Sequence, residues 1–410
     1  MPKASKPRNN LVELGRFVYS LLVLGYHVQF SYSDDEVDFF ENGALAVEFY
    51  FLLSGYFLAR SLEKLVKDDK TTFFKKVYFF MKNKITALLN VHFLSIIVVI
   101  IIILCFDISS FWDKFLNGIP SIFFVQMAIV WSGDFNKALI VPEWYLSAML
   151  FCMLFMVIIF LLLGQSVKGI YSTIILVGIL ILITVIVGLI TSWKFNENIV
   201  YDIRAWGEMS IGMFSYYFSV YIKNKTFGNI FNLILKIVEM IGYSLPVIFG
   251  IIPVSTNYQV YLMMVTVICE FLAVTITFSE KGNIIKNQNL NKAFGYLGAI
   301  SLPIYLFHPV IITLIDYINK SIPKWVKYLI VFPSTLILSF LYRIIADCLN
   351  EKMKQKENEN QKENEKDKEK EKEKEKEKEK DNEIKKDDNI EEEKEKEVNE
   401  KDLESGLINK

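Results

Sequence analysis

Long apolar runs separated by short polar connections dominate the first 350 residues of this 410-residue chain. An α-helix needs about 20 mainly apolar residues to cross the hydrocarbon core of a bilayer. Apolar segments of that kind lie at about residues 14–32, 43–59, 84–105, 143–163, 170–190, 204–222, 230–251, 259–278, 294–315 and 325–347. The pattern therefore predicts an all-α protein, a polytopic transmembrane bundle of about ten helices.

Two apolar segments need a different interpretation. The segment at 120–131 is shorter than a bilayer span, which favours a re-entrant or interfacial position. The first apolar run follows three basic residues, as in a signal peptide. However, it is too long and too aromatic for one, and no small-residue cleavage site follows it. We therefore expect it to be the first transmembrane helix.

The basic residues of the connecting segments predict the orientation in the membrane. If the N-terminus is inside, the cytoplasmic segments carry 17 Lys or Arg residues and the opposite segments carry 5. Cytoplasmic loops of membrane proteins are enriched in these two residues. We therefore expect a multi-pass protein of the plasma membrane, surrounded by lipid, with both termini in the cytoplasm.

Charge divides the chain into two parts. Residues 351–410 contain 18 Lys and 24 Asp or Glu, whereas residues 1–350 contain 27 basic and 22 acidic residues. The Lys/Glu-rich segment has no apolar period with which to form a core. The sequence thus predicts a transmembrane domain at 1–350 and a disordered cytoplasmic tail at 351–410, which is most simply a solvated spacer. The small basic excess of the first part does not indicate nucleic-acid binding.

Cysteine and histidine spacing gives no sign of a metal centre. The four cysteines lie singly in or beside apolar runs, and none forms a pair with the spacing of a metal or redox site. Only three histidines occur in the whole chain. We therefore expect no bound metal, and we expect the cysteines to be buried thiols.

Ionisable residues inside predicted spans are candidates for function because they are costly to bury in lipid. Arg16 and His27 lie eleven residues apart on one face of the first span, about 16 Å along its axis. Glu48 enters the second span from the opposite surface. His27 and Glu48 both lie about 7 Å below that surface, so an imidazole–carboxylate pair can form there.

Three further spans bring polar groups to the same level. His308 lies in the ninth span, and Pro303 and Pro309 beside it are typical of a kinked helix that lines a cavity. Glu143 begins the fourth span, and Arg204 lies at the start of the sixth. The sequence therefore predicts a polar cluster in the outer half of the bundle.

Structural interpretations of these residues also exist. A buried His27 can simply donate a hydrogen bond to a backbone carbonyl. His92 lies in the predicted cytoplasmic half of its span without a matched partner, which favours a structural role. Arg204 and Glu208 have the i,i+4 spacing of an ion pair within one helix.

Four segments of the chain carry recognisable motifs: GRFVYSLLVLGYH (15–27), GALAVEFYFLLSGYFLARS (43–61), VPEWYLSAML (141–150) and FGYLGAISLPIYLFHPVII (294–312). They resemble segments of the acyltransferase-3 family of integral-membrane carbohydrate O-acyltransferases. The first resembles the family's Arg-x10-His motif and the last its Ser-x-x-Ile-Tyr-Leu-x-His-Pro segment. The resemblance in order and spacing extends over about residues 10–348.

The resemblance implies transfer of an acyl group, commonly acetyl, from cytoplasmic acyl-CoA. The acceptor would be a hydroxyl of a cell-surface carbohydrate or its lipid-linked precursor. It implies that His27 is the catalytic base and Glu48 a supporting carboxylate. Basic residues at the cytoplasmic mouth would meet the donor: Arg16, Arg60, Lys75 and Lys76. Residues of the outer half would contact the acceptor: Glu143, Trp144, Tyr305 and His308.

The chain departs from the family pattern at two places. Many members have an arginine-rich start of the third helix, where this chain has only lysines, including Lys75, Lys76 and Lys82. Lysine binds phosphate as a point charge, whereas the guanidinium group of arginine can donate two hydrogen bonds to one phosphate. The usual glutamate two residues after Leu-Ser is Met149, so that carboxylate is absent unless Glu143 replaces it.

Two alternatives remain open at the level of sequence. His27 could activate the acceptor directly or carry the acyl group briefly itself. A multi-pass transporter or exporter of a small organic acid or glycan could use the same polar cluster. Inverted repeats would favour the transporter, and the sequence shows none. A structural scaffold would leave the buried charges unexplained.

Overall fold

The computed structural model describes residues 10–30, 39–68, 70–126, 138–163, 197–253, 259–282, 288–361 and 364–366. Within these ranges the chain forms ten α-helices and no strand, which confirms the all-α prediction. The helices are α1 (Asn10–Phe30), α2 (Ala46–Val66), α3 (Phe73–Phe106), α4 (Phe111–Ile122), α5 (Trp144–Leu163), α6 (Glu197–Lys223), α7 (Asn229–Ile251), α8 (Gln259–Phe278), α9 (Gln288–Ile318) and α10 (324–361). The span predicted at 170–190 lies outside the described residues.

Eight of these helices are long and apolar enough to cross a membrane, which makes the chain a multi-pass membrane protein. The two that do not qualify are α4, which has only 12 residues, and α6, which carries several ionisable residues. The short apolar segment at 120–131 begins in the last turn of α4, and its residues after 126 lie outside the described part.

Two helices differ most in length from the predicted spans. The third helix has 34 residues and begins at Phe73, eleven residues before the predicted start. Its first turns carry the lysine-rich segment and therefore extend the helix beyond the apolar run. The last helix continues through 361, and every residue of 351–361 is exposed. Disorder was predicted there, but opposite charges at i,i+3 favour the continuation of an existing helix.

The bundle proper ends at Arg343, and its centre is formed by two helix pairs. The first helix packs along α9, and α2 packs along α6. Glycines allow the second pair to approach closely. A Cβ atom on Gly55 would lie 2.0 Å from the Met209 carbonyl oxygen, and one on Gly212 would lie 1.9 Å from that of Leu52. Small residues are the usual means of bringing membrane helices into backbone contact.

Local sequence explains how α5 begins. A 3-10 turn at Val141–Glu143 precedes the helix, with Pro142 in its first positions. Proline suits such a position because the first backbone N–H groups of a helix have no helical acceptor to lose. The turn lies beside α9, so the start of α5 is fixed against the part of α9 that carries His308.

The glycine contact leads to a first prediction. We expect Gly212→Ala to destabilise the protein by about 1–3 kcal/mol, because the added methyl group must displace the α2 backbone. Thermal unfolding of the detergent-solubilised protein measures this effect. The matched control is Gly295→Ala in α9, where the added Cβ meets no atom within 4 Å. That variant should gain about 0.4–1 kcal/mol. Equal unfolding temperatures for the two variants would contradict the close crossing.

Candidate active site

A cavity of about 850 Å³ lies at one end of the bundle. It is formed where α1, α3 and α9 end and where α2, α5 and α6 begin. Pockets for small ligands typically have volumes of about 300–1,000 Å³. The polar and aromatic residues that line this cavity include Tyr26, His27, Lys114, Trp144, Arg204 and Tyr305.

Two histidines lie side by side at this cavity. His27 is half-buried in the last turn of α1 and lines the wall, whereas His308 of α9 is fully buried behind it. Their ring centroids are 5.2 Å apart, with an angle of 30° between the ring planes. The structure thus brings together two residues that are separated by 281 positions but that the sequence placed at one depth.

The hydrogen bonds of His308 assign its tautomer. Its Nδ1 atom lies 3.0 Å from the carbonyl oxygen of Ile304, and a carbonyl can only accept a hydrogen bond. The proton is therefore on Nδ1, and the neutral ring has a lone pair on Nε2. No described residue donates a hydrogen bond to this Nε2 atom, although it is buried. Pro309 contributes to this geometry because it leaves the Tyr305 carbonyl without a helical donor, and that carbonyl also interacts with the His308 ring.

Tyr305 connects the histidine wall to the start of α5. Its hydroxyl group donates a hydrogen bond to the Pro142 carbonyl, and its ring centroid lies 5.9 Å from that of His308. Trp144, the first residue of α5, is 9% exposed and faces Arg204. Two of the predicted acceptor-side residues, Trp144 and Tyr305, therefore line the cavity.

The imidazole–carboxylate pair that the depths of His27 and Glu48 permit is not formed as a hydrogen bond in the structure. Both oxygens of Glu48 lack a hydrogen-bond donor among the described residues, and its carboxylate instead forms an ion pair with Arg204. Arg204 also lies 3.6 Å from Glu208, which confirms the i,i+4 pair, and its guanidinium carbon lies 5.9 Å from the Trp144 ring centroid. The depth of Glu48 was predicted, but Arg204 competes with His27 for its carboxylate. A buried carboxylate is stabilised far more by a full positive charge than by a neutral ring.

His92 has a partner that sequence reasoning missed. Its Nδ1 lies 2.8 Å from a carboxylate oxygen of Glu143, and its Nε2 lies 3.3 Å from the Ile122 carbonyl oxygen. The ring also stacks on Phe124, with 3.8 Å between the centroids. Both members of the pair are buried, and Glu143 does not line the cavity. The pair connects α3, the end of α4 and the start of α5, which supports the structural interpretation of His92.

Glu143 also does not replace the missing family carboxylate at Met149. The Met149 sulfur accepts hydrogen bonds from the hydroxyl groups of Ser54, at 3.2 Å, and Tyr145, at 3.4 Å. This position is therefore occupied by a buried thioether with two weak hydrogen bonds, while the carboxyl group of Glu143 is bonded to His92.

An ion pair at the rim of the cavity was also missed. Asp107 follows the last residue of α3, and its carboxylate lies 2.7 Å from the Lys114 Nζ atom of α4. Hydrogen bonds from Lys114, Ser110 and Ser109 hold the pKa of Asp107 well below its usual range. Lys114 also donates to the Tyr317 hydroxyl group, which joins α4 to the end of α9. The only sequence feature that could have indicated this ion pair is the short amphipathic segment that forms α4.

The predicted donor-side residues lie at the other end of the same helices. Arg16 is in the second turn of α1, where it forms an ion pair with Glu13 at 3.1 Å. Arg60 and Lys75 are exposed, and Lys76 is half-buried. None of these four basic residues lines the cavity that contains His27. The structure therefore separates the predicted donor-side residues from the residues at the His27 cavity along the bundle axis.

A family model described as an acyltransferase domain, that of the acyltransferase-3 family, matches residues 9–344. The match covers most of the 410-residue chain and includes both histidines of the cavity. The chain belongs to the acyltransferase-3 family. Comparison with curated proteins and with solved structures gave no significant match.

Membership of this family accounts for the polar side chains in the interior of the helix bundle. The family match and the eight apolar helices together define a membrane-embedded acyltransferase. In this acyltransferase, the segments that carry the family resemblance at the ends of α1 and α9 supply His27 and His308. The segment before α5 supplies the turn to which Tyr305 is bonded.

The buried pair of His92 and Glu143 gives a second prediction. We expect His92→Leu and Glu143→Leu each to destabilise the acyltransferase by about 3–5 kcal/mol, because each leaves the other polar group buried without its partner. The double variant His92→Leu/Glu143→Leu should recover most of this loss, since two apolar side chains need no partner. Thermal unfolding of the single and double variants measures the coupling. Losses that simply add would show that the two residues do not stabilise each other.

Proposed function

We propose that this acyltransferase moves an acyl group, most simply acetyl, from cytoplasmic acyl-CoA to a hydroxyl group of a cell-surface carbohydrate or its lipid-linked precursor. The observation that supports this proposal most is the position of His27. It lines a cavity together with aromatic and charged side chains, and a second histidine lies 5.2 Å behind it. Aromatic faces and hydrogen-bonding groups are suited to a polyhydroxylated acceptor.

His27 is the proposed catalytic base. In the direct route, it removes the proton from the acceptor hydroxyl group while the hydroxyl oxygen attacks the thioester carbonyl. A carbon–oxygen bond forms, the carbon–sulfur bond breaks, and the proton passes from His27 to the departing CoA thiolate. In the alternative route, His27 first takes the acyl group from the thioester and then transfers it to the acceptor. His308 supports either route, because its unprotonated Nε2 atom can accept a hydrogen bond from the His27 ring.

The basic residues at the opposite end are the proposed donor site. Arg16, Arg60, Lys75 and Lys76 lie where α1 begins, α2 ends and α3 begins. The phosphates of acyl-CoA would bind there, at the end that the Lys and Arg distribution predicts to be cytoplasmic. Arg16 lies about 16 Å from His27 along the α1 axis, a distance that an extended pantetheine arm spans. The donor and the acceptor would thus reach His27 from opposite ends of the bundle.

The role of His27 gives a third prediction. We expect His27→Ala to lower glycan-dependent release of CoA from acetyl-CoA by about 10²- to 10⁴-fold, the usual contribution of general base catalysis. The assay uses purified protein and a pool of cell-surface glycans as acceptors. The matched control is Gln29→Ala, also in α1, because Gln29 does not line the cavity and its variant should keep full activity.

Two results would contradict the proposal. Full acyl transfer by a stably folded His27→Ala variant would exclude both routes through this residue. If the wild-type protein released no CoA and acetyl-CoA did not raise its unfolding temperature, a transporter or exporter of small organic acids or glycans would become the better interpretation. A ligand that binds only the folded state must stabilise it, so the thermal measurement tests donor binding independently of turnover.

The donor site gives a fourth prediction. We expect Arg16→Ala to raise the KM for acetyl-CoA about tenfold or more, because a charge-assisted hydrogen bond contributes about 1.5–3 kcal/mol. The KM for the glycan should remain unchanged. Lys64→Ala is the control, since Lys64 is an exposed base in the last turn of α2, at the same end, and has no proposed donor role. An equal rise in the KM values for acetyl-CoA and for the glycan would show that Arg16 contributes to folding of the protein and not to donor binding.

A further inference from the structure

One wall of the cavity has no role in the acyl transfer proposed above. It is formed by α4, whose residues Asp113, Lys114 and Asn117 line the cavity. With 12 residues, α4 is too short to cross a membrane. The course of this helix and the residues on its other face decide what lies behind the wall.

Contacts at both ends of α4 fix its direction against α3. Near its start, the Lys114 Nζ atom lies 2.7 Å from the carboxylate of Asp107, the residue that follows α3. At its end, the Ile122 carbonyl oxygen lies 3.3 Å from the His92 Nε2 atom, and the Phe124 ring stacks on the His92 ring. His92 lies about 21 Å before the end of α3, measured along that helix. The helix α4 therefore runs back into the bundle, antiparallel to α3.

This course places most of α4 at the depth of the hydrocarbon core. The apolar run of α3 covers about residues 84–105 and ends together with the helix at Phe106. The end of α3 therefore marks one boundary of the hydrocarbon core, which is about 30 Å thick. A residue at the level of His92 lies about 20 Å inside that boundary. The helix α4 thus begins near the boundary and descends into the region that lipid chains occupy.

Large apolar side chains are exposed on the other face of α4. Trp112, Leu116 and Phe123 are 69%, 58% and 68% exposed, and none of these three residues lines the cavity. They form the exposed stripe of α4. Trp112 lies near the boundary of the hydrocarbon core, where tryptophan is enriched in membrane proteins. Because large apolar side chains exposed at this depth need an apolar partner, the exposed stripe fits the hydrocarbon chains of lipids.

The exposed stripe and the cavity-lining residues adjoin on α4. Leu116 and Asp113 are about 60° apart around the helix axis, and Asn117 lies about 40° beyond Asp113. Among the described helices, α3 is the one against which α4 packs closely. One helix therefore presents an apolar surface to the membrane and hydrogen-bonding groups to the cavity. These two surfaces suit the two parts of an amphiphile, a polar head group and a hydrocarbon chain.

We propose that the acceptor is an amphiphile whose carbohydrate head group occupies the cavity while its hydrocarbon chain stays in the membrane along the exposed stripe of α4. This inference rests on the proposed function and narrows it, because it selects a lipid-linked carbohydrate over a free one. The acceptor then reaches His27 from the membrane, and only its head group leaves the lipid. The chain contributes to binding because it remains in contact with apolar side chains.

Acyl transfer to a matched pair of acceptors tests the proposal. Both acceptors carry the same carbohydrate, and one of them also bears a long alkyl chain. The full chain is assayed in lipid nanodiscs with acetyl-CoA as the donor. We expect the alkylated acceptor to have a KM at least about tenfold lower, the gain from burying about two methylene groups. Partition of the alkyl chain into lipid also lowers this KM, so a variant of α4 must separate the two effects.

Leu116→Gln distinguishes contact with α4 from partition into lipid. We expect this variant to raise the KM for the alkylated acceptor about threefold or more, the effect of losing contact with about one methylene group. The KM values for acetyl-CoA and for the acceptor without a chain should stay unchanged. The matched control is Leu329→Gln in α10, because Leu329 is 66% exposed and does not line the cavity. An unchanged KM for the alkylated acceptor in Leu116→Gln would overturn the proposed contact with α4.

Tryptophan fluorescence tests the lipid contact of α4 without any turnover. In vesicles whose lipids carry bromine on their acyl chains, bromine quenches the emission of tryptophans that contact the chains. We expect Trp112→Phe to lower the quenched share of the total emission, and the substitution keeps an apolar ring at this position. Trp144→Phe is the control, since Trp144 lines the cavity and is buried. An unchanged quenched share in Trp112→Phe would overturn the lipid contact.

These measurements also separate this proposal from the proposed function. Equal KM values for the two acceptors in the wild-type protein would overturn the amphiphilic acceptor but leave acyl transfer intact. Absence of transfer to both acceptors would overturn the proposed function and the identity of the ligand with it. Quenching of Trp112 in that case would still support α4 as a lipid-facing wall of the cavity.

Discussion

The requirement that every charge in the membrane interior find a partner organises this structure. The helical backbone satisfies its own hydrogen bonds, so the remaining cost of insertion comes from ionisable side chains. Arg204 meets Glu48 and Glu208, and His92 meets Glu143, each across or along helices that must pack in one way for the contact to form. These pairs select one rotation for each helix, because a helix turned by half a turn would expose its charge to lipid.

Close backbone contact makes the most important of these pairs possible. The crossing of α2 and α6 brings Gly55 and Gly212 against the opposite backbone, so the two helices lie nearer than larger residues would permit. Arg204 and Glu48 lie on the cavity side of that crossing and meet directly. The glycines therefore act on the site from a distance, by setting the separation of the helices that carry its charged wall.

Sequence reasoning predicted depth well and rotation poorly. Counting residues from the span ends placed His27 and His308 at one level, and the structure shows their rings 5.2 Å apart. The same counting paired His27 with Glu48, although Arg204 is the partner of that carboxylate. Depth follows from the rise per residue, whereas the face that a residue presents depends on how its helix packs. His92 is the exception in depth, because the sequence placed it in the inner half of its span, whereas its partner Glu143 lies in the turn before α5, at the cavity end.

The pairing of Glu48 with Arg204 has a consequence for the chemistry of the opposite wall. A base must be neutral before it can accept a proton, and a carboxylate bonded to His27 would instead favour the charged imidazolium. Arg204 binds Glu48, whereas the ring of His27 lies 5.2 Å from that of His308, whose Nε2 atom is an acceptor and carries no charge. The carboxylates paired with Arg204 thus belong to α2 and α6, whereas the two histidine rings belong to α1 and α9. In the proposed reaction, an acceptor hydroxyl group in the cavity would contact His27 on one wall and the guanidinium group of Arg204 on the other.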